Sequence, residues 1–179
     1  MRMGCMRKPR ELKNGARYHV TARANRQEMI FDMDPMKELF LSVVKRAKAK
    51  YNFRIENFCI MGNHFHFIIQ PLHNESLSAI MQWILSVFAM AFNKLKSFTG
   101  HVWGCRFFSR ILAGLRELMH AFEYIDQNPV KACQVEDRRE WRYGGLGHAR
   151  EGCRNIVEER QIWICLSFPE HHQLLLSSS

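Results

Sequence analysis

The stretch FRIENFCIMGNHFHFIIQP, residues 53–71, decides how the chain is read. Residues 53–60 form one run rich in Phe and Ile, residues 64–70 form a second, and the turn dipeptide Gly62-Asn63 lies between them. Two strand-like runs this close together predict an antiparallel hairpin ended by Pro71. Side chains alternate faces along a strand, so Phe65, Phe67 and Ile69 share one face and His64, His66 and Ile68 the other. The first face suits a core. Two imidazoles side by side on the second are unusual for packing, and at roughly 6.5 Å, twice the rise per residue, both can reach one divalent ion. Taken alone, H-x-H in a strand also fits incidental structure, and two ligands leave a metal site incomplete.

Working outward, RYHVTARA, residues 17–24, reads as an earlier strand with Tyr18, Val20 and Ala22 on one side. Asp34-Pro35 opens a helix, the first residue as cap and the second with φ already set. Leu39, Phe40, Val43, Val44 and Ala47 carry that helix to about Lys50. After the hairpin, NESL at 74–77 opens a second helix. Its apolar steps of three and four run through Leu77, Ile80, Met81, Ile84, Leu85, Phe88, Phe92 and Leu95 until Gly100. Residues 102–112 are expected to form a fourth strand and residues 115–127 a third helix. The order predicts an α+β, ferredoxin-like βαββαβ fold: an antiparallel sheet with two helices on one face and the added helix on the other. WRYGGLGHA and the tail after it show no clear organisation, and the final LLLSSS is expected to be disordered.

The totals narrow the class. At 179 residues, 47% hydrophobic and 24% charged, the chain fits one ordinary globular domain. Its apolar runs are broken well short of a membrane span, and MRMGCMRKPRELKNG has no apolar segment behind its charges, so a cytoplasmic protein without membrane attachment is expected. Six scattered cysteines without a C-x-x-C pair argue against a zinc ribbon or a disulfide framework. The formal net charge is +9, and the first 26 residues hold eight bases against one acid. Such an arm suits a polyanion, and nucleic acid is favoured over membrane because no basic amphipathic helix accompanies it. Arg7, Lys8, Arg10, Arg17, Arg23 and Arg26 are the candidate phosphate contacts, with a solvated tail as the alternative. No phosphate-cradling glycine loop and no G-x-S-x-G elbow occur. His171-His172 reads as incidental.

A second polar signal lies in EYIDQNPVKA, residues 123–132. Tyr124 and Asn128, four apart, share a helical face, with His120 one turn earlier. Pro129 disfavours helix at Asn128, so the helix is expected to end there. A half-buried aromatic and a simple helix cap would look the same.

Together, NHFHFII and YIDQNPVKA resemble the single-tyrosine HUH transposases (His, hydrophobic residue, His), in particular their REP-associated branch. YHVTARANRQEMIF, HVWGCRFFSRIL and WRYGG resemble further family segments. The likeness spans residues 17–146, leaving a basic arm at 1–16 and a partly irregular extension at 147–179. It implies a ferredoxin-like fold with Tyr124 as the nucleophile, and His64 and His66 holding Mg2+ or Mn2+. Asn128 stands where the family supplies a third ligand, although some relatives carry Gln there. The implied reaction is nicking and strand transfer of single-stranded DNA through a 5′-phosphotyrosine, at imperfect hairpins with flanking guide bases. A nucleoid-associated protein, monomeric or homodimeric, is expected. His120 is a candidate general base, packing being an equal reading of it. Two alternatives stand beside the strand transferase. One is a catalytically silent hairpin-binding protein of the same fold. The other is a structural protein binding RNA across its sheet, which would lack the expected paired exposed aromatics.

Overall fold

The computed structural model describes residues 13–153 and 155–157. Arg7, Lys8, Arg10, most of the C-terminal extension and His171-His172 lie outside the described residues. Strands β1 (Tyr18–Arg23), β2 (Phe53–Ile60), β3 (His64–Pro71) and β4 (Phe108–Ile111) form one antiparallel sheet in the order β2-β3-β1-β4. Helices α1 (Asp34–Lys50) and α2 (Leu77–Lys96) cover one face, and α3 (Leu115–Lys131) lies across the other. This is the ferredoxin-like arrangement that the sequence order predicts.

The alternation of β3 sorts its side chains as expected. Phe65, Phe67 and Ile69 are fully buried with Phe40, Val43 and Val44 of α1 and Ile80, Ile84 and Phe88 of α2. Each such side chain contributes about 1.5–3 kcal/mol of burial. Phe40 meets Phe65 at 4.7 Å and Phe88 at 5.2 Å between ring centroids, which locks α1 and α2 over the sheet. Helix α2 is long and apolar enough to span a membrane by length and composition, contrary to the expectation from its sequence. Its apolar stripe, Leu77 through Phe92, is buried in this core.

On the opposite face, Leu118, Phe122 and Ile125 of α3 pack on Cys59, Met61 and Ile68 to form a second, smaller core. A bulge in β2 prepares that face. The register slips between Ile55 and Asn57, which turns Asn57 toward α3. Buried Asn57 then donates from Nδ2 to Asp126 Oδ1 at 2.9 Å, tying the helix to the sheet by a shielded hydrogen bond.

Four local expectations are corrected. Residues 102–107 do not extend β4, because Trp103 turns into the aromatic core near Phe31, Phe65 and Phe88 and donates its indole N–H to the Leu85 carbonyl. Phe108–Ile111 forms the ladder with β1, and Trp103 adds only an isolated bridge to Ala24. Met33, not Asp34, is the N-cap of α1; Asp34 starts the helix and takes an ion pair from Lys37 at 3.1 Å. Gly62 turns without the left-handed backbone that favours glycine, and a Cβ there would meet only the end of the exposed Met29 side chain. Finally, α3 runs through Pro129 to Lys131 instead of ending at Asn128. The missing proline N–H falls in the last turn, where Ala132, Cys133 and Gln134 donate to the carbonyls of Asn128, Val130 and Pro129 and close the helix.

WRYGG, the stretch without a clear sequence reading, braces the free edge of β2. Ile60 N–H donates to the Tyr143 carbonyl, Trp141 donates its indole N–H to the Ile60 carbonyl, and Gly144 bridges Cys59. The buried Lys37 ammonium sits 4.9 Å from the Tyr143 ring centroid and 5.7 Å from that of Trp141, fastening the brace to α1. Helix α4 (Gly145–Arg150) follows; its Gly147 passes so close to the Trp141 carbonyl that no Cβ would fit.

Candidate active site

Strands β1 and β3 and helix α3 bring four rings together on the sheet face opposite the main core. His64 and His66 stand 5.0 Å apart by ring centroid, at right angles. The Tyr124 ring, 45% exposed, lies edge-on to His66 at 5.4 Å and 5.8 Å from His19. The two sequence signals, sixty residues apart, therefore meet in space. Tyr124 arrives because Phe122 and Ile125, its neighbours on α3, are fully buried against the sheet.

The fourth ring, His19, escaped the sequence reading. It alternates with Tyr18 and Val20 on β1, so its face was legible. Its neighbour was not, because the pairing of β1 with β3 is a long-range choice. In that pairing Thr21 faces His66 and His19 faces Ile68, which makes His19 and His66 diagonal partners. Their Nε2 and Nδ1 atoms lie 3.0 Å apart.

Burial sets the protonation of all three imidazoles. It lowers His66 to about 3, with His19, His64 and Arg23 adding to the effect. Burial and then Arg23 lower His64 to about 4, partly opposed by its hydrogen bond to the Asn128 side chain as acceptor. Burial and then Arg110 lower His19 to about 4. All three are neutral at pH 7, the form in which imidazole binds a metal.

The donor set fits a cation. Asn63 Oδ1 lies 2.7 Å from His64 Nδ1 and can only accept, so that nitrogen carries the proton and Nε2 keeps its lone pair. His66 Nε2 is buried and has no hydrogen-bond partner. The Asn128 amide donates Nδ2–H to the Tyr124 carbonyl at 2.8 Å, which leaves its oxygen for the side facing His64. Among the described residues, no three His, Cys, Asp or Glu side chains converge as a ready metal cage. His19 does not complete one, because its Nε2 is spent on His66. A cation here would use His64, His66 and the Asn128 oxygen, with the remaining positions left to water or a bound phosphate oxygen.

A cavity of about 710 Å3 opens beside the tyrosine, lined by His19, Arg110, Arg116, His120 and Tyr124, with Glu117 the one carboxylate. His120 thus shares the tyrosine's groove, as its helical spacing predicts. Lys131 places its ammonium 5.7 Å from the Tyr124 ring centroid. Of the basic candidates within the described residues, Arg23 and Arg26 are exposed, and Arg23 stands across from His64. Arg17 instead holds buried Glu56, Nε lying 2.8 and 2.9 Å from the two carboxylate oxygens.

A helix-borne tyrosine thus stands against a histidine pair on a ferredoxin-like sheet. The family model of the IS200-like transposases matches residues 13–128, and the chain belongs to that family. It is 25% identical over 147 residues to a Haemophilus influenzae protein provisionally named a REP-associated tyrosine transposase, covering 76% of this chain and 83% of that protein. Its fold is similar to that of a REP-associated tyrosine transposase solved bound to a REP hairpin, with a TM-score of 0.68 and 19% identity over 85% of this chain and 88% of the other.

Proposed function

We propose that this transposase cuts and rejoins single-stranded DNA through Tyr124, at hairpin-containing sites. The observation that carries the reading is the approach of the Tyr124 ring to 5.4 Å from His66, on the face where His64 and His66 present unprotonated nitrogens. The names of the two relatives, one of them bound to a hairpin, support the choice of substrate.

The chemistry follows from the residues. A phenol is a poor nucleophile near neutral pH, since its ordinary pKa is about 10. His64, His66 and Asn128 would hold a divalent ion, Mg2+ or Mn2+, and such an ion would withdraw charge from the scissile phosphate and make it a better electrophile. Tyr124 Oη attacks phosphorus and loses its proton; the bond to the 3′ oxygen breaks, and that oxygen takes up a proton as a free 3′-hydroxyl. The 5′-phosphate stays esterified to Tyr124. Because the phosphodiester energy is kept in that ester, a later 3′-hydroxyl can displace the tyrosine and rejoin a strand without a nucleotide cofactor. Arg110, Arg116 and His120 line the strand's path beside Tyr124, and Arg23 and Arg26 contact phosphates at the other end of β1. The second core and the Asn57–Asp126 bond hold α3 on its own sheet, which favours delivery of the tyrosine within one subunit.

The test is a labelled single-stranded hairpin incubated with Mn2+ and denatured before electrophoresis. A protein–DNA adduct that disappears in Tyr124→Phe supports strand transfer. Tight binding with no adduct under any divalent ion would instead make the protein a hairpin-binding module.

A further inference from the structure

We infer that His19 is a positioning residue for the metal site: it accepts the Nδ1 proton of His66 and thereby aims the lone pair of His66 Nε2 at the cation. The inference rests on the proposed metal role of His64 and His66.

Two neutral imidazoles share one hydrogen here, and its position decides which nitrogen of His66 is free. His19 Nε2 and His66 Nδ1 are 3.0 Å apart, so one of them carries the shared hydrogen. If His19 donated, His66 would carry its proton on Nε2. That atom is buried and meets no acceptor, so the arrangement would strand a donor and block the only nitrogen able to face a metal. If His66 donates, Nε2 presents a lone pair that a cation satisfies. His19 then carries its own proton on Nδ1, in a half-buried ring that lines the open groove beside Tyr124. Only the second arrangement serves a ligand.

His64 is oriented in the same way by a different group. Asn63 Oδ1 accepts from His64 Nδ1, and each histidine of the pair thus has its Nδ1 occupied and its Nε2 available. Asn63 adjoins His64 in the chain. His19 comes from β1, which is hydrogen-bonded on both sides, to β3 and to β4, and so offers a rigid anchor. An acceptor on the second nitrogen fixes the tautomer and ring angle of a metal-binding histidine and raises its basicity.

The experiment compares wild type, His19→Ala and His19→Gln, without DNA, by titrating Mn2+ and reading free Mn2+ by electron paramagnetic resonance at pH 7.5. Melting temperatures confirm that the variants fold. The alanine variant is expected to bind Mn2+ about 10–100-fold more weakly. The glutamine variant, whose amide oxygen can accept from Nδ1, is expected to recover most of the loss. Long-range 1H–15N spectra of 15N-histidine-labelled, metal-free protein should show His66 protonated on Nδ1, and that measurement decides the matter alone if His19→Ala does not fold. Unchanged Mn2+ affinity in folded His19→Ala, or His66 protonated on Nε2 in wild type, overturns the inference. Wild type that binds no Mn2+, or binding that survives His64→Ala and His66→Ala together, defeats the metal reading itself and the inference with it.

Discussion

Acid should barely weaken cation binding at this site, although its ligands are histidines. An imidazole titrating at its ordinary pKa of about 6.5 is about 90% protonated at pH 5.5, and two such ligands would weaken apparent affinity about a hundredfold between pH 7.5 and 5.5. Burial places His64 near 4 and His66 near 3. At pH 5.5 only about 3% of His64 and still less of His66 is then protonated, so the expected change in affinity is about 5% or less. Mn2+ titrations at pH 7.5, 6.5 and 5.5, read by electron paramagnetic resonance, measure this directly. A tenfold or larger fall with a midpoint near 6.5 would refute the reasoning, because it would mean that the imidazoles are solvated and titrate independently of their packing.

The same shifts give the metal-free protein an acid-sensitive stability. Below about 6.5 the unfolded chain binds protons at His19, His64 and His66 that the folded chain refuses until about 4 or below. Their contribution is complete above pH 6.5 and is lost as the pH falls toward 4; urea midpoints across that range check it. Phe122→Ala empties the centre of the second core and should cost about 3–5 kcal/mol, with hydrogen exchange accelerated in α3 ahead of the main sheet. Gly147→Ala forces a methyl group against the Trp141 carbonyl and should lower stability by about 1–3 kcal/mol, detectable by thermal melting, while leaving the Tyr124 groove in place. Arg23→Ala should weaken hairpin binding and reduce the salt slope by about one unit, measured by fluorescence anisotropy at several salt concentrations.

Much of this architecture is visible in local patterns. Steps of three and four fix α2, and period two in β3 separates the phenylalanines from the histidines. Tyr124 and Asn128 are readable as one helical face. What stays hidden is set by long-range choices. The approach of β1 to β3 decides that His19 meets His66, and no local rule encodes that register. The aromatic core claims Trp103 and so shortens β4, overriding a sequence that looks like a strand. Pro129 is an ordinary helix stop until the chain beyond it supplies donors to the last carbonyls. In β2, Phe53 and Ile55 fall on odd positions and Phe58 and Ile60 on even ones, yet all four are buried in the same core; the bulge at Glu56 reconciles them. That change of phase is legible in hindsight, and it is what turns Asn57 toward Asp126.

The most direct test is anomalous diffraction from crystals of the protein grown with Mn2+. A single strong peak bonded to the Nε2 atoms of His64 and His66, beside the Asn128 oxygen and beneath the Tyr124 ring, is the expected result. A peak held by other side chains, or Tyr124 turned away from the ion with no path back to it, would contradict the account.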